Sequence, residues 1–230
     1  MTPGAPLSVE RAEHGLTRIR FDRPGRRNAI DENTVAALLA ELDHDPAGPV
    51  LLGSTDPAIF CAGADLDITD AERTRCSDLL YETYHRLVTR PGPVIAVVEG
   101  PAVGGGAQLA TAADLRVAGP GCRFRWAGPG HGLAVGAWVL PDLVGRGIAL
   151  ELTLSGRWVG AAEALRIGLV NSVDDEPWPV AEKLVATVAG LDAAAVAGVK
   201  SITAAGGGLP DRLAAERHRN LRQWPGTVPR

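Results

Sequence analysis

The sequence predicts an α/β core followed by a helical C-terminal region, because strands and helices alternate over the first two thirds and helices crowd the last third. Three observations carry this. Residues 16–21 alternate, with Thr17, Ile19 and Phe21 on one side and Arg18 and Arg20 on the other, as a half-buried strand would. The run VIAVV at 94–98 is continuously apolar, the pattern of a strand covered on both faces. From about 142 onward the spacing of apolar residues is mostly helical.

The elements follow in order. After the first strand, DRPGRRNA turns the chain, and Asp31 stands as the N-cap of a helix with Val35, Leu38, Leu39 and Leu42 on one face. PVLLGS at 49–54 reads as a buried strand that feeds the loop DPAIFCAGADL. Residues 70–88 place Cys76, Leu80, Tyr84 and Leu87 at helical spacing among charges, and PGP ends that surface helix. The 94–98 strand runs into GPAVGGGAQLATAADL at 100–115. LRVAG is a further short strand, 119–136 is a Gly-rich loop containing Trp126, and another short strand is expected over 169–173. The Ala/Gly-rich stretch 192–208 reads as helices broken near glycines 206–208.

A chain of 230 residues can bury one sizeable core. The net charge of -4 and the lack of a Lys/Arg block argue against nucleic acid as a partner. Cys61, Cys76 and Cys122 show no CxxC spacing and the histidines are scattered, so neither a disulfide framework nor a metal site is expected. No leader-like segment and no run of membrane-spanning length is present, and a cytoplasmic protein is expected.

The chemistry lies in the two glycine loops. GPAVGGGAQL lacks the Lys-Ser/Thr of a Walker A loop, and a GxGxxG starting at Gly104 finds Leu109 where glycine is needed. There is no GxSxG either, so a serine hydrolase has no obvious nucleophile. Three glycines at a helix start let the main chain approach a ligand while the first N–H groups stay free as donors. A second N–H near Ala64 would complete an oxyanion hole. From either loop alone, close packing of a helix on a strand explains the glycines at least as well.

FCAGADL at 60–66, PVIAVVEGPAVGGGAQLATAADLRVA at 93–118, SGRWVGAAEALRIGLVNSV at 155–173 and DRPGRRNAI at 22–30 together resemble the crotonase superfamily, the enoyl-CoA hydratase/isomerase family. The resemblance runs from about residue 7 to about 200, with four motifs in the family's order. It implies a crotonase-like spiral of ββα units over 1–175 and a C-terminal helical trimerisation region over 176–230. It implies an acyl-CoA thioester as ligand, with coenzyme A as part of that ligand and no separate cofactor. The thioester oxygen would meet the N–H groups of Ala64 and Gly105, and the CoA moiety would lie near Arg26, Arg27, Ala62, Asp65 and Leu66. A homotrimer or dimer of trimers is implied as well.

The chain departs from that family at the two glutamates that move protons in its hydratases: their positions hold Gln108 and Gly128. An amide does not titrate near neutral pH; it can orient a water or the thioester but cannot take a proton. The stretch 136–145 is also a few residues shorter than the family pattern. His131 is a candidate replacement acid or base, since histidine is the residue type that titrates near neutrality, or else it lines the pocket. Glu99 is read as a structural partner, and Asp67, Asp70 and Glu72 as a solvated helix start. Trp126 and Trp138 are read either as the wall of an acyl tunnel or as core. Two functions follow: an acyl-CoA-binding protein of acyl-CoA metabolism, poor or inactive as a hydratase, or an active hydratase, isomerase, decarboxylase or thioesterase using residues such as His131.

Overall fold

A computed structural model describes residues 5–65, 67–206 and 208–223. β1 (Leu7–Arg11) and β2 (Thr17–Phe21) form an antiparallel hairpin, and β2 buries Thr17, Ile19 and Phe21 as its alternation requires. From β2 the sheet continues in parallel through β3 (Val50–Ser54) and β4 (Val94–Val98), then β6 (Leu115–Ala118) and β9 (Ser172–Val173). A second sheet joins β5 (Pro101–Val103), β7 (Arg123–Arg125) and β8 (Val159–Gly160). Two successive turns of the chain give one strand to the first sheet and then one to the second: β4 is followed by β5 and β6 by β7. This is the spiral of ββα units that the motifs implied.

The helices among the described residues are α1 (Glu32–His44), α2 (Asp70–Thr89), α3 (Gly105–Ala112), α4 (Leu140–Ser155), α5 (Ala161–Arg166), α6 (Pro177–Ala189), α7 (Ala193–Gly206) and α8 (Leu209–Gln223). Asp31 caps α1 by accepting from Thr34 N at 2.8 Å. Thr69 and Glu72 form a reciprocal capping box at the start of α2. That is why Glu72 follows the FCAGADL loop.

β4 is buried along its whole length because both faces are covered. Val94, Ala96 and Val98 join the main core, while Ile95 and Val97 join a second core with Leu51, Val117, Ala181 and Val185 under α6. Trp178 of α6 lies against Gly53 and donates from Nε1 to Glu99 at 2.9 Å, so Glu99 is a structural partner. α7 is tied down by Lys200, whose Nζ reaches Asp114 at 2.7 Å and Gly92 O at 2.8 Å. α8 returns across α2, with Arg217 paired to Asp78 at 2.7 Å. Among the described residues no single helix is long and apolar enough to cross a membrane.

Two expectations shift. The strand expected over 169–173 shortens to Ser172–Val173, because the N–H groups of Leu169 and Val170 are both taken by Ala164 O. β5, β7 and β8 are two or three residues long, too short for alternation to reveal them in the sequence.

Asn28 joins the N-terminal turn to the first glycine loop. It adopts the left-handed region at φ 53°, which asparagine tolerates well. Its Oδ1 accepts from Arg23 N at 2.9 Å, and its Nδ2 reaches Ser54 Oγ at 2.8 Å and Phe60 O at 3.1 Å. Replacement by alanine leaves several buried partners unsatisfied. Asn28→Ala is expected to lower stability by about 3 kcal/mol, measured by urea unfolding against the wild-type chain.

Candidate functional site

The two glycine loops are zipped together through their backbones. Phe60 N and Cys61 N both donate to Pro101 O, at 3.0 and 3.1 Å, and Val103 N donates back to Cys61 O at 2.9 Å. This close approach depends on Gly106, where an added Cβ would lie 2.5 Å from Cys61 O. Gly104, at φ 52°, turns the chain from β5 into α3. The loops are so near that a methyl group at Gly63 would sit 3.5 Å from Gly105 N.

This arrangement leaves two N–H groups unused. Ile30 N donates to Gly63 O and Asp65 N to Ile30 O, each at 2.8 Å, and this parallel bridge bypasses the N–H of Ala64. Gly105 opens α3, and its N–H has no intrahelical acceptor. Ala64 and Gly105 border one cavity of about 100 Å³, whose walls include Leu80, Tyr81 and Tyr84 of α2, Gln108 of α3, Val135, and Asn220 of α8. Two residues with uncommitted backbone N–H groups thus meet at the border of one cavity.

Gln108 is 3 % exposed, and both the oxygen and the nitrogen of its amide are hydrogen-bonded. Its Oε1 accepts from Gly136 N at 3.0 Å and Trp138 Nε1 at 2.8 Å. Both partners can only donate, which fixes the amide orientation. Its Nε2 donates to the Tyr84 hydroxyl at 3.3 Å, and that hydroxyl donates to Gly105 O at 3.2 Å. Gln108 therefore holds the 136–138 segment and, through Tyr84, steadies the peptide beside the Gly105 N–H. A carboxylate here would draw the Tyr84 hydrogen to itself and away from Gly105.

The other expected residues fall in different places. Gly128 is buried below the cavity wall, and a Cβ there would lie 2.5 Å from Val135 Cγ2 and 2.8 Å from Leu133 O. His131 ends a short 3-10 turn over Gly128–His131 and is exposed, away from the cavity lining. Trp126 and Trp138 are core: Trp126 stacks on Phe124 and Trp138 on Tyr84. Among the described residues lining the cavity there is no carboxylate and no imidazole. Burial pushes the Cys61 thiol, and the Cys76 thiol in the cavity wall, up to about 12, so neither is a ready nucleophile.

Of the residues expected near CoA, Arg26 and Asp65 meet each other. Arg26 reaches both Asp65 oxygens at 2.9 Å and Asp67 at 3.1 Å. Burial pushes the Asp65 carboxyl up, but the Arg26 hydrogen bond, the Asp67 N–H and the charges of Arg26 and Arg23 outweigh it and hold it below its ordinary value. Ala62 N donates to Arg27 O at 3.1 Å, while the Arg27 side chain is exposed. Leu66 lies outside the described residues. Sequence reasoning missed Tyr81, Glu216 and Asn220. Helical spacing marked Tyr84 only as an apolar position, and nothing local connects α2 with residues more than a hundred positions later.

The family model described as Enoyl-CoA hydratase/isomerase matches residues 11–221. The protein named "Probable enoyl-CoA hydratase echA6" from Mycobacterium leprae (strain TN) is 33 % identical over 185 residues, covering 75 % of this chain and 74 % of that protein. Among solved structures, an enoyl-CoA hydratase/isomerase from Xanthobacter autotrophicus Py2 superposes with a TM-score of 0.85 at 26 % identity, over 95 % of this chain and 86 % of that one. Pseudomonas aeruginosa DspI gives a TM-score of 0.83 at 29 % identity, over 98 % of each chain.

Truncating Gln108 strands the Gly136 N–H and the indole N–H of Trp138 in a buried site. Gln108→Ala is expected to cost roughly 3 kcal/mol of stability, with a change in tryptophan emission that follows the same denaturation curve.

Proposed function

Because the chain belongs to the enoyl-CoA hydratase/isomerase family, we propose that it binds an acyl-CoA thioester whose carbonyl oxygen sits between the N–H groups of Ala64 and Gly105, and that it is poor or inactive as a hydratase. The observation that supports this reading is the pairing of two backbone donors at the cavity border with a cavity wall that, among the described residues, contains no carboxylate and no imidazole. Donors of this kind hold the developing charge of an enolate. General acid–base groups contribute about 10²- to 10⁴-fold each, and the two positions that would supply them are an engaged amide and a glycine.

The CoA moiety would run past the turn that carries Arg26 and Arg27. The exposed Arg27 guanidinium is placed to meet a phosphate, whereas Arg26 is held by Asp65 and Asp67 and would have to share its charge. A homotrimer, or a dimer of trimers, fits the exposed apolar residues Leu191, Val199 and Ile202 of the C-terminal helical region, with further exposed apolar residues at Leu150 and Leu154 on α4, Trp158 beside β8 and Leu165 on α5. The setting is cytoplasmic acyl-CoA metabolism.

The test is incubation with saturated and 2-enoyl-CoAs of graded chain length, following binding by calorimetry and products by mass. Binding without hydration is expected. Turnover of an enoyl-CoA at ordinary enzyme rates would overturn the binding-only reading. Gly105→Val puts methyl groups where Leu80, Ile30 and the Tyr84 hydroxyl already lie within 3.4 Å, and acyl-CoA affinity should fall roughly tenfold or more. The double variant Gln108→Glu/Gly128→Glu should gain no hydratase activity, because position 128 has no room for a side chain; a clear gain would show that only the acids are missing.

A further inference from the structure

One buried cluster beside the cavity has no task in this binding mode. Glu216 of α8 is 5 % exposed and has no ion-pair partner among the described residues. Its Oε2 accepts from Trp138 N at 3.0 Å. Its Oε1 lies 3.1 Å from the Tyr81 hydroxyl. Asn220 Nδ2 donates to the same hydroxyl at 2.8 Å, and Asn220 is itself held by Ala134 N and Ala134 O, each at 2.9 Å. Tyr81 and Asn220 line the cavity.

A phenol oxygen carries one hydrogen and two lone pairs, and Asn220 occupies one lone pair. When Glu216 is ionised, the phenol hydrogen goes to its Oε1 and only a lone pair faces the cavity. When Glu216 is neutral, its hydrogen must sit on Oε1, since Oε2 faces the Trp138 N–H. That hydrogen fills the second lone pair of Tyr81. The phenol hydrogen then turns toward the cavity.

We propose that Tyr81 reads the acyl group in this cavity by donating its hydroxyl hydrogen to an oxygen carried on a short acyl chain, with Glu216 and Asn220 as the positioning residues that set this polarity. The inference rests on the acyl-CoA reading above and names its ligand class. Shortness follows from the cavity: about 100 Å³ is well below the ~300–1,000 Å³ of ordinary ligand pockets. The α8 wall is fastened by Asn220 to Ala134 and by Arg212 to Trp138 O, at 3.0 Å. The polarity follows from Tyr81 and Asn220, which stand beside the apolar wall of Ile68, Leu80, Leu133 and Val135 that would suffice for a plain alkyl chain.

The ionisation of Glu216 supplies a pH signature. Burial pushes its carboxyl up to about 8, although the Tyr81 hydroxyl and the N–H groups of Trp138, Ala137 and Gly136 pull the other way. Below that value the carboxyl is neutral and Tyr81 donates to the cavity; above it Tyr81 can only accept. Of the neighbouring charged groups, Arg217 reaches Asp78, Arg212 reaches Trp138 O and Asp142, and Glu82 and His85 of α2 with His218 of α8 line a second cavity that Tyr81 also borders. Arg73, on the α2 side of the cavity, donates to Ile68 O at 3.3 Å. Burial, then the charge of neighbouring groups, raises the Tyr81 and Tyr84 phenols, so both stay protonated.

The experiment compares 4-oxopentanoyl-CoA with pentanoyl-CoA by calorimetry on the full chain, at about pH 6 and about pH 9.5, on either side of the Glu216 titration. The wild-type protein should prefer the oxo ester by roughly tenfold at the lower pH and lose that preference at the higher one. In Tyr81→Phe the two esters should bind alike at both values. In Glu216→Gln the amide N–H₂ should face Tyr81 and its carbonyl the Trp138 N–H, so the preference should persist at the higher pH. An equal preference at both pH values in the wild type, or an undiminished preference in Tyr81→Phe, would overturn the proposal. If neither ester binds the wild-type chain, the acyl-CoA reading itself fails.

Discussion

The close backbone contact between residues 60–64 and 101–106 governs the rest of the site. Gly106 and Cys61 O approach so nearly that no side chain fits between them, and the bonds through Pro101 O and Cys61 O hold the two loops in register. Once they are in register, Ala64 and Gly105 both border one cavity. The supporting parts follow from this. Asn28 grips the 59–60 backbone from one side, and the Gln108–Tyr84 chain steadies Gly105 from the other.

The amide at position 108 is better understood as a framework group than as a weakened catalyst. A residue that only lost an acid would be indifferent to its surroundings. Gln108 instead satisfies three polar groups of the core at once, and its N–H₂ does what a carboxylate could not: it donates to Tyr84 while Tyr84 donates to Gly105. Gly128 is equally committed, because the 133–135 segment has settled into the space a side chain would need. The proposed retention of a thioester site without hydration chemistry is therefore built into packing as well as composition.

α8 gives the cavity its remaining character. Arg212, Glu216 and Asn220 recur along one face and fasten the 134–138 segment by Trp138 O, Trp138 N and Ala134. The same face puts a buried carboxyl behind Tyr81. Confinement by α8 and polarity at Tyr81 thus come from one docking event. The cavity's size and its selectivity are linked through that helix.

The α/β core and its longer elements were legible from residue pattern alone, while the spiral arrangement came only from the family resemblance. The alternation in β2, the unbroken apolar run of β4, the Asp31 cap and the helical spacing of α1 and α2 all depend on neighbours close in sequence, and each formed as the spacing required. The glycine loops were legible for the same reason, since a motif is a local object. The sequence could not say which carboxyl or phenol would lie at the cavity. Glu216 and Tyr81 are 135 positions apart, and His131, close in sequence to the expected pocket, turns outward at the end of its 3-10 turn. Local spacing determined the longer elements and the glycine loops. Only the folding of α8 over α2 decided the size of the cavity and the polar groups at its wall, because burial and hydrogen-bond partnership belong to the packed chain and not to any segment of it.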